Sequence, residues 1–162
     1  MPMSQIVVVS NDQVGLATVL HLLNSAGYHA TGASTFAEAT RAVGTDNPDL
    51  VIADERLGEY NGLHVLLRAR AEHPDVSAIV ATPVASRGLE ADARCMNVRC
   101  VVKPKNPAEW LEHVSRVLHE DHYEKQSIAL PLVRQAVTRL VLRPSVTAAR
   151  NRPGLLDSQR TG

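Results

Sequence analysis

Cysteine is scarce in this chain of 162 residues. Cys95 and Cys100 are its two thiols, too few for a disulfide framework, and both read as reduced cysteines of a cytoplasmic protein. Long apolar runs are lacking too, so no membrane span is expected. Met1-Pro2-Met3-Ser4-Gln5 brings no basic segment before the first apolar stretch, so no secretory signal is expected either. Net charge is zero, with 44% hydrophobic and 21% charged residues. That composition belongs to a globular protein and excludes a wholly disordered or collagen-like chain. The charge is unevenly spread. Residues 1–122 hold 10 Lys+Arg against 15 Asp+Glu, a net −5; residues 123–162 hold 7 against 2, a net +5. An acidic body with a basic tail suggests two parts with different roles.

Short apolar runs alternate with segments of helical spacing. Ile6-Val7-Val8-Val9, Leu50-Val51-Ile52-Ala53 and Ala78-Ile79-Val80-Ala81 are too apolar and β-branched for half-exposed strands and read as strands buried on both faces. His29–Ser34 and Cys100-Val101-Val102 complete five strands. Between them lie helical patterns over Val14–Ala26, from Thr35 to about Gly44, over Leu63–Glu72 and over Ser86–Met96; a last helix runs to about His119. Thr35-Phe36-Ala37-Glu38 has capping-box spacing. Asn106-Pro107-Ala108-Glu109 reads as a helix start, with Asn as cap and Pro at the first helical position. Five βα repeats imply an α/β fold with a parallel sheet covered by helices on both faces.

In such sheets ligands bind at the carboxyl ends of the strands. Those ends carry Ser10-Asn11-Asp12, Asp54, Thr82 and Lys103-Pro104. One strand end with a polar residue is commonplace. Four in register bring a carboxylate, a hydroxyl and an ammonium to one edge.

These residues resemble the receiver domain of two-component response regulators, over roughly Gln5 to His119. Pro48-Asp49-Leu50-Val51-Ile52-Ala53-Asp54, with Gly62-Leu63 beginning eight residues after Asp54, carries the likeness best. Thr82 after Ile79-Val80-Ala81, Lys103-Pro104 after the last strand, and Ala26-Gly27-Tyr28 at the end of the first helix support it. The resemblance implies a flavodoxin-like, doubly wound sheet of order 2-1-3-4-5. It implies Asp54 as phospho-acceptor, a carboxylate nucleophile toward a phosphoryl group. Lys103 would neutralise the phosphoryl oxygens, and Thr82 would move to hydrogen-bond the new phosphate. The Arg56 carbonyl would be a Mg²⁺ ligand beside Asp54, and a cis bond before Pro104 would aim the lysine.

The sequence departs from the family at three places. The usual acidic pair after the first strand is Ser10-Asn11, with Asp12 one position late. Asn11 and Asp12 are the remaining candidate metal ligands, so Mg²⁺ binding is expected to be weak, or absent if Asp12 serves as a helix N-terminal residue. Gly58 replaces the common Pro four residues after Asp54, and Cys100 replaces the switch aromatic three residues before Lys103. Pro83 stiffens the loop that Thr82 would have to move with. The pattern is that of an atypical receiver.

Residues 4–121 are assigned to this domain, 122–143 to an amphipathic helix, and 144–162 to a basic flexible tail. Within the second segment Ala129, Val133, Ala136 and Leu140 form a stripe that needs cover from its own receiver, a second copy or a partner. The tail carries Arg143, Arg150, Arg152 and Arg160, lacks aromatics and is too short for a complete DNA-binding domain. His119 and His122 do not close a zinc site.

Three readings follow. The first is a stand-alone receiver taking a phosphoryl group from a histidine kinase or phosphotransfer protein and switching its contacts with a downstream partner. The second is a pseudo-receiver acting through constitutive contacts or self-dimerisation by the C-terminal helix. The third, weaker, is a transcriptional regulator using the basic tail, although nucleic acid is not an expected partner. No enzymatic activity beyond the receiver's own phosphorylation chemistry is expected.

Overall fold

The structure, a computed structural model, describes residues 3–121. The proposed C-terminal helix and basic tail lie outside the described residues.

Each apolar run forms a strand. β1 (Gln5–Val9), β2 (His29–Ala33), β3 (Leu50–Asp54), β6 (Ser77–Thr82) and β7 (Arg99–Val102) make one parallel sheet in the order β2-β1-β3-β6-β7. This is the expected 2-1-3-4-5 order. The labels differ because a two-stranded hairpin, β4 (Arg56–Leu57) with β5 (Tyr60–Asn61), intervenes. Helices α1 (Gln13–Ser25), α2 (Phe36–Asp46), α3 (Gly62–Glu72) and α4 (Arg87–Cys95) fill the connections, and α5 covers residues 109–121.

Successive side chains of a strand point to opposite faces, so one β-branched run feeds two cores. Val7, Val9, Val51, Ala53 and Val80 pack with Ala39, Val43, Leu66 and Leu89. Ile6, Val8, Leu50, Ile52 and Ile79 pack with Leu23, Trp110, Val114 and Leu118. Burial of each such Val, Leu or Ile is worth about 1.5–3 kcal/mol. The sheet is thereby fixed from both sides, and the residues at its carboxyl edge inherit that rigidity.

The helix starts follow their caps. Asp12, Thr35, Asn61 and Ser86 each accept a hydrogen bond from a backbone N–H in the first turn of their helix. The Glu38 N–H donates to the Thr35 hydroxyl at 3.2 Å, and the Thr35 backbone N–H acts on the Glu38 carboxyl in return, as a capping box requires. The stronger partners of the carboxyl are the backbone N and hydroxyl of Ser34, which donate to Oε2 at 2.8 and 2.9 Å. These bonds, the backbone one foremost, hold the Glu38 carboxyl below its ordinary value. α2 continues past Gly44 to Asp46, and Asn47 ends it in the left-handed region at φ 46°. α5 starts later than Pro107. The Asn106 side chain accepts from Ala108 N, and Glu109, Trp110 and Leu111 N–H groups donate three residues back, so a tight turn precedes the helix.

The hairpin was not expected from the sequence. Gly58-Glu59 joins the Leu57–Tyr60 pair, with positive φ (66°) at Gly58 alone, which is a type II′ turn. Proline, locked near φ −65°, cannot stand there. The departure at Gly58 is therefore a consequence of the hairpin. Tyr60 stacks on Phe36 with ring centroids 4.6 Å apart, tying this loop to the start of α2.

Candidate functional site

β3 ends at Asp54, which is 9% exposed and lies between β1 and β6 in the sheet. A carboxylate this deep requires partners. Ser10, in the residue after β1, donates its hydroxyl to Asp54 Oδ2 at 2.5 Å. Lys103, just past β7, brings Nζ to the same oxygen at 2.7 Å. Among the described residues none hydrogen-bonds Oδ1. One carboxylate oxygen is thus held by two donors while the other has none.

The backbone beneath is equally specific. Gly62 N donates to the Glu55 carbonyl at 2.9 Å. A Cβ on Gly62 would lie 2.0 Å from the Asp54 carbonyl oxygen, so only glycine allows α3 to start this close to β3. The bond before Pro104 is trans, as are all peptide bonds among the described residues, which corrects the expected cis bond. Lys103 reaches Asp54 without it, its backbone N held by the Thr82 carbonyl at 2.8 Å.

Thr82 is buried, and its hydroxyl does not face Asp54. It lies 2.6 Å from Glu55 Oε2, with the Val84 carbonyl at 2.9 Å as a second acceptor. Glu55 is the functional neighbour that the sequence reading missed. Only its position directly after Asp54 could have pointed to it. Cys100, at the place of the switch aromatic, is half-buried. Burial pushes its thiol up, and the Glu90 and Glu55 carboxylates push it further, so it stays protonated at neutral pH.

Of the candidate metal ligands Asp54 alone is buried. Asp12 is exposed and serves as the N-cap of α1, its Oδ1 accepting from Gly15 N at 3.2 Å. Asn11 and Arg56 are exposed, Arg56 lying opposite Asn61 in the hairpin. The Ser10 hydroxyl hydrogen is already given to Asp54. Among the described residues no three His, Cys, Asp or Glu side chains form a group that could hold a metal ion. Mg²⁺ takes near-octahedral oxygen ligands, usually including carboxylates. The donor set here, one buried carboxylate already paired with an ammonium and one exposed carboxylate that caps a helix, does not fit it.

The family model for the response regulator receiver domain matches residues 6–115. The chain belongs to the response-regulator receiver family. Solved receivers share its fold. A CheY-like receiver domain protein from Methanospirillum hungatei JF-1 superposes with a TM-score of 0.70 at 24% identity, over 75% of this chain and 98% of that one. The signal receiver domain of a Luxo repressor protein from Vibrio parahaemolyticus gives 0.69 at 19% identity, over 77% and 97%. Among curated proteins, the alginate biosynthesis transcriptional regulatory protein AlgB of Pseudomonas aeruginosa is 31% identical over 104 residues, 64% of this chain. That match spans 23% of AlgB, so this receiver corresponds to under a quarter of its curated relative.

Proposed function

We propose that this receiver accepts a phosphoryl group on Asp54 from a histidine kinase or phosphotransfer protein, and that the phosphorylated domain changes its contacts with a downstream partner. The observation that carries the reading is the asymmetric acceptor: Oδ2 held by Ser10 and Lys103, Oδ1 without a donor. Oδ1 would attack phosphorus. An O–P bond forms, the P–N bond to the donor imidazole breaks, and its electron pair leaves with that nitrogen. Forming the acyl phosphate neutralises the carboxylate and moves the charge outward to the phosphoryl oxygens. Lys103 then follows the charge, and Ser10 is freed to donate to it. For Thr82 to reach the phosphoryl group, its hydroxyl must leave Glu55, so the Thr82–Glu55 bond opposes the switch. Since the donor set does not suit Mg²⁺, the reaction is expected to depend little on divalent cations.

A phosphorylated histidine kinase, incubated with the full chain, tests this proposal. Transfer of label to the wild type and none to Asp54→Asn is the expected result. No transfer to either protein favours the second reading, a pseudo-receiver working by constitutive contacts. Two observations speak for that reading: Asp54 already has its charge partner, and Thr82 is already engaged. The relatives' printed role as transcriptional regulatory proteins makes a regulator of transcription one candidate for the downstream partner.

A further inference from the structure

Beside Asp54, between α1 and the start of α5, lies a cavity of about 230 Å³. Apolar cavities of about 150 Å³ take up a benzene ring, so this one has room for a ring and a short substituent. Its walls are apolar: Leu16 and Val19 of α1, Ile52 of β3, Pro104, and Trp110 of α5. Ser10, Asp12, Asp54 and Lys103 make up its polar part. Two carboxylates and one ammonium border the cavity there, with the ammonium paired to Asp54. Asp54 Oδ1 and Asp12 Oδ2 accept no hydrogen bond from any described residue, whereas Asp54 Oδ2 and Asp12 Oδ1 are taken. The polar part therefore has one negative charge in excess and unused acceptors. It is too poor in carboxylates for a divalent ion and suited to one positive charge.

We propose that this cavity binds a small organic monocation, an amine carrying an aromatic or aliphatic body, with its ammonium in the polar part that Asp12 and Asp54 border and its body against Trp110. Such a ligand would cover Oδ1, the oxygen assigned to attack phosphorus. Binding and phosphorylation would then exclude each other, and the receiver would answer to a metabolite as well as to a kinase. Only this consequence rests on the function proposed for Asp54; the binding itself does not.

Trp110 is the only tryptophan in the chain, so its emission reports on the cavity directly. The full chain is titrated with benzylamine, benzyl alcohol and benzoate. A saturable change with benzylamine, a much weaker one with benzyl alcohol and none with benzoate is expected. Asp12→Asn keeps the α1 cap, because Asn caps as well as Asp, but removes one charge. It should weaken benzylamine binding about fivefold, the worth of one exposed charge pair. Val19→Phe narrows the cavity and should abolish binding; should that variant fail to fold, Asp12→Asn decides. Equal responses to all three probes, no saturation with benzylamine, or an unaltered Asp12→Asn variant would each overturn the proposal. These readings need no phosphodonor, so a receiver that takes no phosphoryl group leaves the binding result intact.

Discussion

Asp54 is surrounded by residues whose replacement has separable effects. Ser10→Ala removes one of two hydrogen bonds to a buried carboxylate. Hydrogen bonds to charged groups are worth about 1.5–3 kcal/mol, so urea unfolding should register a loss of about 2 kcal/mol. Asp54→Asn gives up the charge that Lys103 pairs with but keeps an acceptor, and should stay folded. Gly62→Ala is the most damaging single change, because its methyl would sit 2.0 Å from the Asp54 carbonyl oxygen. It should destabilise by more than about 3 kcal/mol or prevent folding, as over-packing against backbone leaves nothing to yield. Asp54, Thr82 and Lys103 were legible in the sequence because each directly follows an apolar run. Glu55 was not. Its contact with Thr82 exists only because β3 and β6 are neighbours, a pairing of residues far apart in the chain. The role of Asp12 turned on one loop: the sequence left it between ligand and cap, and in the structure it caps α1.

At the scale of elements, caps and turns govern the edges of the site. Thr35→Ala should cost about 1 kcal/mol through loss of the α2 cap. The Ser34–Glu38 bonds lower the folded carboxyl below its ordinary 4.5. A lowered folded value means that the stabilisation is present above the unfolded value and is lost as pH falls through the folded one. Glu38→Gln should therefore reduce stability at neutral pH, and the difference from wild type should shrink below about pH 4.5, read by thermal melts across that range. The Gly58 turn makes a third case. Gly58→Pro, which restores the family's common residue, should break the hairpin and release the Phe36–Tyr60 stack instead of improving the domain. The five strands and the helices between them were readable from apolar periodicity. The hairpin escaped because a pair of two-residue strands carries no period, and its turn is set by a glycine whose φ only the structure fixes.

For the molecule as a whole, sheet order and family followed from the βα repeat and the register of four strand ends, and the family model over residues 6–115 agrees. What the repeat could not convey is the resting state of the site. Asp54 is paired with Lys103, a hydroxyl donor and an exposed amide stand where the family usually has its acidic pair, and the Thr82 hydroxyl is held by Glu55. Asp54 is nonetheless expected to accept a phosphoryl group, and to do so with little help from Mg²⁺. The most direct test is the intact mass of the full chain after incubation with a small acyl phosphate, once with Mg²⁺ and once with EDTA, beside Asp54→Asn. A gain of one phosphoryl group is expected in the wild type under both conditions and none in the variant. A gain that disappears with EDTA would contradict the reading of the donor set. No gain under either condition would contradict Asp54 as a working acceptor.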